Sequence, residues 1–270
     1  APLSDAPAAK AGIKAGDIIL QVDDTKSSDM GFNNLINKIR GPKGTTVNIQ
    51  VARSGVDKPL TFSVARDTIT VKSVTWEEKD QGSKKIMYVK VRQFGDDTDA
   101  LFADFVAATL KAKPDGIIVD LRDNPGGYFE SAINLSSYFI DGGTVVEQQD
   151  KNGKKQDFST IHTATLKGFE TAILVNGGSA SASEIFSGAV QDRKVGKIIG
   201  EKTFGKGSVQ ELVNLSDGSA VKVTIAKWLT PNGRQINKEG IAPDIEIKNS
   251  DTDPTDLQLN RALDFIVSGK

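Results

Sequence analysis

Cysteine is absent from this 270-residue chain, and histidine occurs once. Without cysteine there are no disulfides, thiolate metal sites or cysteine nucleophiles, and one histidine excludes a multi-histidine metal site. Basic residues show no excess, since 34 Lys and Arg face 35 Asp and Glu, for a net charge of −1. That balance argues against nucleic acid, which a basic stripe would attract. We therefore expect neither a metal nor a nucleic-acid partner.

Long hydrophobic runs are also missing, because nothing approaches the about 18 consecutive apolar residues that a membrane helix requires. The chain begins at Ala1 without a signal-peptide pattern and is soon inside patterned sequence. We therefore expect it to be a piece of a longer protein. Any targeting or membrane association is expected to come from segments that precede Ala1.

The pattern of apolar residues divides the chain into two parts. Residues 1–66 combine short alternating strands with an amphipathic helix, and residues 67–85 are a charged connector with a strand around 69–74. From residue 86 to 270 strands alternate with helices, which predicts an α/β core with a largely parallel sheet. Residues 208–229 alternate like a hairpin, with Asp217-Gly218 as its turn.

One candidate for chemistry is the run Gly178-Ser-Ala-Ser-Ala-Ser-Glu184, between a predicted buried strand and a helix. Small residues let a reacting chain approach the backbone, and a serine before a helix has free N–H groups beside it that can hold an oxyanion. An ordinary serine cap on a glycine-rich loop explains the same segment at least as well.

A second candidate is Gly200-Glu-Lys-Thr-Phe-Gly-Lys-Gly-Ser208, which nearly matches a phosphate-binding P-loop. The position that should hold the Mg²⁺-binding hydroxyl is Gly207, so that hydroxyl is missing or displaced to Ser208. The residues that follow have an extended pattern, whereas a P-loop must run into a helix. We therefore expect no nucleotide.

The third candidate, Asp120-Leu-Arg-Asp-Asn-Pro-Gly-Gly127, is either a simple turn or half of an oxyanion hole. The general base for a serine could be a lysine, because His162 lies in a polar stretch typical of a solvated loop. Lys206 is flanked by glycines that would not obstruct its approach. Since a lysine in water has a pKa near 10.4, about one in 2,500 is neutral at pH 7, so this role requires a Lys206 shielded from water.

These motifs together resemble the carboxyl-terminal processing proteases, or tail-specific proteases, over essentially the whole chain. The resemblance rests on five ordered segments and on the first unit, whose segment 6–19 resembles part of a PDZ domain. The five segments are 120–127, 178–184, 203–210, 230–234 (Thr-Pro-Asn-Gly-Arg) and 240–244 (Gly-Ile-Ala-Pro-Asp). Each segment alone is a weak signal, but their order and spacing make a specific one.

The resemblance implies a serine protease with a Ser/Lys dyad and no cofactor. It assigns the nucleophile to Ser181, with Ser179 and Ser183 as the neighbours to exclude, and the general base to Lys206, supported by Gln210. If residues 206–210 are extended, positions 206, 208 and 210 share one face. The implied oxyanion donors are the backbone N–H groups of Ala182 and Gly127, with Gly126 as the alternative to Gly127.

The PDZ resemblance implies capture of a protein or peptide substrate by an exposed, apolar C-terminal tail. The strand that normally holds the tail carboxylate in such domains would precede Pro7, so we expect it upstream of this sequence. The family further implies an extracytoplasmic location: the periplasm, the cell-wall face or the thylakoid lumen. The alternative reading is a catalytically silent PDZ adaptor, and the sequence leaves the oligomeric state open.

Overall fold

The structure is a computed structural model that describes residues 6–69, 71–215, 219–249 and 255–269. It divides into two compact units, residues 1–71 and residues 72–270. The strand expected around residues 69–74 instead occupies Val74–Gln81, within the stretch that the sequence suggested was a connector. It belongs to the second unit because it pairs along its whole length with the following strand.

The first unit is a four-stranded antiparallel sheet in the order β2-β1-β3-β4, with two helices. Its elements are α1 (Pro7–Lys10), β1 (Ile18–Val22), β2 (Thr25–Lys26), α2 (Phe32–Ile39), β3 (Thr46–Ala52) and β4 (Leu60–Ala65). Alternate residues of β3 face the same side, so Val47, Ile49 and Val51 all point into one small core, as the period-two pattern predicts.

An ion pair fixes the segment between α1 and β1. Arg53 donates from Nε and Nη2 to the two carboxylate oxygens of Asp17, at 2.7 Å each, and from Nη2 to the carbonyl oxygen of Gly12 at 2.8 Å. The hydrogen bonds from Arg53 and from the Lys14 N–H lower the pKa of Asp17 from 3.8 to about 2. The Asp17 side chain is only 2% exposed, so this two-pronged contact is shielded from water.

The second unit alternates strands and helices through most of its length. Its elements are β5 (Val74–Gln81), β6 (Lys84–Val91), α3 (Thr98–Ala112), β7 (Gly116–Asp120), α4 (Phe129–Ser137), β8 (Thr144–Asp150), β9 (Lys155–Ser159), β10 (Glu170–Val175), α5 (Ala182–Asp192), β11 (Lys197–Gly200), β12 (Ser208–Asn214), β13 (Ala220–Leu229), β14 (Ile245–Glu246) and α6 (Leu257–Ser268).

Two sheets organise this unit. The larger has the order β14-β11-β10-β7-β6-β5 and is parallel except for β5, which pairs antiparallel with β6. The smaller, β12-β13-β8-β9, is antiparallel throughout. The predicted α/β core with a largely parallel sheet and hairpins is therefore confirmed. The predicted hairpin is β12-β13, while its expected turn at Asp217-Gly218 lies outside the described residues.

The parallel sheet is buried on both faces, which explains the continuous apolar runs of β7 and β10. On one face Ile117 and Ile173 pack in the large core with residues of α3, α4 and α5. On the other face Ile118 and Leu174 pack against α6. Among the described residues, no helix is long and apolar enough to cross a membrane.

Candidate active site

Three loops meet where strands of the parallel sheet end, the usual location of sites in such folds. The loop after β7 contains the Asp120–Gly127 motif, the loop after β10 contains the serine run, and the loop after β11 contains Lys206. Hydrogen bonds join the first two loops directly, because Ala180 N–H donates to the Asn124 carbonyl at 2.9 Å. The third joins the second through Phe204 N–H, which donates to the Ser179 carbonyl at 3.0 Å.

Ser181 immediately precedes α5 with a backbone conformation of φ 56° and ψ −114°. Such a left-handed φ costs a non-glycine residue about 1–3 kcal/mol and is typical of functional positions. Its two serine neighbours have structural roles: fully buried Ser179 and Ser183 donate to the carbonyls of Leu121 at 2.8 Å and Asn124 at 3.0 Å. Ser181 is therefore the only serine of the run whose side chain is partly accessible.

The turn after β7 separates the two glycines that the sequence left as alternatives. Gly126 N–H is occupied, because it donates to Asn124 Oδ1 at 2.9 Å. Gly127 N–H has no hydrogen-bond partner within the described part of the chain. Gly127 forms a β-bridge with Phe94, but the two hydrogen bonds of that bridge are made by the neighbouring Gly126 carbonyl and Tyr128 N–H. This geometry favours Gly127 as the oxyanion donor, together with Ala182 N–H in the unpaired first turn of α5.

Both glycines are required by close contacts. Gly126 has φ +98°, and a Cβ there would lie 2.8 Å from Ser181 Cβ. Gly127 has φ +143°, and a Cβ there would overlap the Phe94 carbonyl oxygen. The turn that presents the Gly127 N–H thus packs directly against Ser181 Cβ and the backbone atoms of Ala180 and Ala182, which only glycine permits.

A fully buried glutamate that the sequence analysis did not single out, Glu184, links the second and third loops. Its Oε2 accepts the backbone N–H groups of Ser181 and Lys206, both at 2.8 Å. Its Oε1 accepts Thr203 Oγ1 at 2.5 Å and Gly205 N–H at 2.7 Å. The available signal was the Ser-x-x-Glu spacing from Ser181, typical of a helix N-terminus. Four donors around one carboxylate hold the two proposed dyad residues in register.

Lys206 lies before the extended segment, so the condition that residues 206–210 are all extended is not met. Strand β12 starts at Ser208, because Gly205 has φ +90° and Gly207 packs against the Asn237 backbone. Only Ser208 and Gln210 therefore lie on the same face of an extended strand. The side chains of Lys206 and Gln210 are exposed, so the shielding expected for Lys206 is absent here. Over the described ranges, Lys206 Nζ has no hydrogen-bond or ion-pair partner.

The base of the first loop is fixed by a buried ionic network. Arg122 donates from Nε and Nη2 to the two oxygens of Asp120, at 3.0 and 2.7 Å, and from Nη1 to Asp256 at 2.7 Å. Burial opposes the charge on Arg122, but the hydrogen bonds that it donates to both carboxylates outweigh this effect and raise the pKa of Arg122. Burial, with the charge of Asp120, also raises the pKa of Tyr88, whose hydroxyl donates to Asp120 at 2.6 Å.

The remaining sequence candidates have other surroundings. His162 is half-buried rather than solvated: its ring lies 4.3 Å from that of Tyr138, and Nε2 is 3.0 Å from Asn134 Oδ1. Residues 200–208 run into β12, so they lack the helix N-terminus that a P-loop requires. Over the described ranges, no cluster of three or more His, Asp or Glu side chains could hold a metal.

Comparison with known proteins agrees with this architecture. Residues 85–247 match Peptidase family S41, and residues 1–53 match the PDZ domain. A probable CtpA-like serine protease of Staphylococcus epidermidis is 40% identical over 251 residues, covering 91% of this chain and 49% of the relative. The carboxy-terminal processing protease CtpB of Bacillus subtilis is 36% identical, covering 93% of this chain and 52% of the relative.

Among solved structures, the photosystem II D1 C-terminal processing protease is similar, with a TM-score of 0.65 and 31% identity. The match covers 97% of this chain and 71% of that protein. The chain spans about half the length of the curated relatives it matches. The matched ranges and these relatives establish that the chain belongs to peptidase family S41, as a PDZ-containing member of the carboxy-terminal processing proteases.

Proposed function

We propose that the whole protein is a serine endopeptidase that cleaves protein substrates near their C-termini with a Ser181/Lys206 dyad. The observation that carries the proposal is the Glu184 carboxylate, whose Oε2 accepts N–H groups from both dyad residues at 2.8 Å. Ser181 and Lys206 are 25 positions apart in sequence, and the buried acid joins their backbones. Such a link would position the two residues for a reaction that needs both side chains.

In the proposed reaction, neutral Lys206 takes the proton from Ser181 Oγ as that oxygen attacks the peptide carbonyl. The N–H groups of Gly127 and Ala182 stabilise the resulting oxyanion. Collapse of the intermediate breaks the C–N bond, and Lys206 protonates the departing amine. Water then attacks the acyl-enzyme with Lys206 again as base, which regenerates Ser181. Gln210 is proposed to orient the Lys206 amine, and neither metal nor cofactor takes part.

The exposure of Lys206 adds a condition to this mechanism. An amine in water stays protonated at neutral pH, so a covering group must exclude water before Lys206 can act as a base. We propose that the bound substrate chain supplies this cover, which couples activation of the amine to substrate binding.

Substrate capture is assigned to the PDZ domain. Such domains bind a chain terminus as an added strand, and the first unit leaves the large apolar side chains of Ile18 and Phe32 exposed. We propose that it captures an apolar C-terminal tail and that the enzyme acts outside the cytoplasm. A silent PDZ adaptor is the competing proposal.

The test is cleavage of a denatured, apolar-tailed protein by the full-length enzyme and by its Ser181→Ala and Lys206→Ala variants. The matched control is Lys202→Ala, which removes an exposed lysine from the same loop. Wild type and the control should cleave, and both dyad variants should lose activity by about 1,000-fold or more. Equal cleavage by all four proteins would reject the dyad, and no cleavage by wild type would favour the adaptor.

A further inference from the structure

An aromatic side chain beside the proposed dyad has no role in the fold. Phe204 is 68% exposed and has no ring partner within the described part of the chain. It lies two residues before Lys206, in the loop that Glu184 holds against the nucleophile. Single exposed apolar residues are common and need no explanation, so the argument depends on how this one is held.

The backbone of Phe204 is fixed at three consecutive residues. Its own N–H donates to the Ser179 carbonyl at 3.0 Å. The preceding Thr203 and the following Gly205 both donate to Glu184 Oε1, at 2.5 and 2.7 Å. The exposed ring therefore projects from an anchored segment, two residues in sequence from the proposed base and hydrogen-bonded to the loop of the proposed nucleophile.

A second exposed aromatic is anchored next to the proposed oxyanion donor. Tyr128 follows Gly127 and is 52% exposed. Its N–H donates to the Phe94 carbonyl at 2.8 Å, and its hydroxyl donates to Asp96 Oδ1 at 2.6 Å. The loops of the base and of the oxyanion turn thus each present one aromatic ring to solvent from a segment whose backbone is anchored. Rigid rings bury large apolar area at little cost in conformational entropy.

We propose that Phe204 is a specificity-determining residue that contacts an apolar substrate side chain next to the scissile bond. Tyr128 contributes the aromatic surface beside the oxyanion turn. The inference rests on the proposed function and extends it, because it assigns an apolar preference to the cleavage site itself, separately from any preference of the PDZ domain for the tail.

The experiment is an internal competition with the full-length enzyme. A synthetic peptide library with a constant apolar C-terminal tail is digested, and cleavage sites are read by mass spectrometry. A well-cleaved peptide is then mixed with a copy that has serine in place of the apolar residue flanking the cut. The ratio of the two rates equals the ratio of kcat/KM values, so enzyme amount and overall activity cancel.

We expect wild type to prefer the apolar peptide and Phe204→Ala to lower that preference by roughly tenfold, since small changes in an apolar contact shift discrimination by about that factor. Phe204→Leu should restore most of it. Ile161→Ala is the matched control, because Ile161 is a similarly exposed apolar residue, 64% exposed, in the loop after β9. Its preference should equal that of wild type.

Several outcomes would overturn the inference. An unchanged ratio in Phe204→Ala would do so, as would a general fall in both rates with the ratio kept, which indicates a structural role only. If Phe204→Ala fails to fold, the ratio of Phe204→Gln decides, because its side chain is of similar length but polar, and a value equal to wild type counts against the inference. Cleavage that persists in Ser181→Ala would instead refute the proposed function, so the two failures are distinguishable.

Discussion

Ser181 and Lys206 donate their backbone N–H groups to the same carboxylate oxygen, Oε2 of Glu184, at equal distances of 2.8 Å. The serine stands at the start of α5 and the lysine in the loop before β12, so the acid joins two elements that are distant in sequence. Because Glu184 is fully buried, the bonds face no competition from water. This one side chain therefore links the two backbones directly, in addition to the bond from the Phe204 N–H to the Ser179 carbonyl.

Glu184→Gln should lower kcat/KM by about 100-fold or more, since displacements near 1 Å at a reacting group have effects of that size. The amide offers one acceptor oxygen where the carboxylate offers two, and its NH₂ group would face backbone N–H donors. The measurement is the peptide rate together with the urea midpoint. Glu170→Gln, at an exposed glutamate, is the control. Wild-type kinetics in folded Glu184→Gln would show that the contact has no influence on the reaction.

Gly127→Ala should reduce activity by at least 100-fold and destabilise the core, because the turn cannot accept a Cβ. The residue has φ +143°, and the new methyl would overlap the Phe94 carbonyl oxygen. The turn would move, and one lost oxyanion donor costs about 100- to 1,000-fold in kcat. Gly177→Ala is a matched control, since its Cβ would have no atom within 4 Å. Similar activity in both variants would exclude the Gly127 turn from the site.

Arg122→Lys should lower the free energy of unfolding by about 1–3 kcal/mol, although the charge is kept. Lysine cannot reproduce the paired bonds to Asp120 together with the bond to Asp256. Urea unfolding followed by tryptophan fluorescence would measure the change, with exposed Arg92→Lys as the control. Equal midpoints for the two variants would mean that the network contributes no stability beyond its charges.

Asp17→Asn should destabilise the first unit at neutral pH but not at low pH. The pKa of Asp17 is lowered from 3.8 to about 2, so its stabilising contribution is complete above 3.8 and disappears as the pH falls towards 2. Amide hydrogen exchange of β1 and β3 would report this unit separately. The difference between wild type and variant should shrink over that interval, whereas Asp57→Asn, at an exposed position, should show none. A constant difference down to pH 2 would contradict the linkage.

The local sequence pattern predicts most helices and strands of this fold, but it does not predict the contacts between the loops. Continuous apolar runs predict β7 and β10, because strands covered on both faces need apolar residues at every position. Ser181 and Lys206 are assigned from the family resemblance. The local sequence alone does not distinguish a nucleophile and a base from an ordinary serine cap and a solvated lysine. Glu184 escapes notice because its four donors come from residues up to 22 positions away.

Two local features depend on contacts with distant residues. Lys206 lies outside β12 because backbone contacts of Gly205 and Gly207 with residues 236–240 divert the chain before the strand starts. His162 is held against Tyr138 and Asn134, although the largely polar stretch around it is typical of a solvated loop. In both cases a tertiary partner, invisible in the local pattern, decides the outcome.

The salt bridge from Arg122 to Asp256, across 134 positions, has a consequence for biosynthesis. Asp256 caps α6, the helix that covers one face of the parallel sheet, so the strand leading into the oxyanion turn gains its last supports only when α6 has been made. A ribosome-bound chain that has already exposed the serine and lysine loops would still lack these supports. The Arg122 network is therefore completed only after nearly the whole of the second unit has been synthesised.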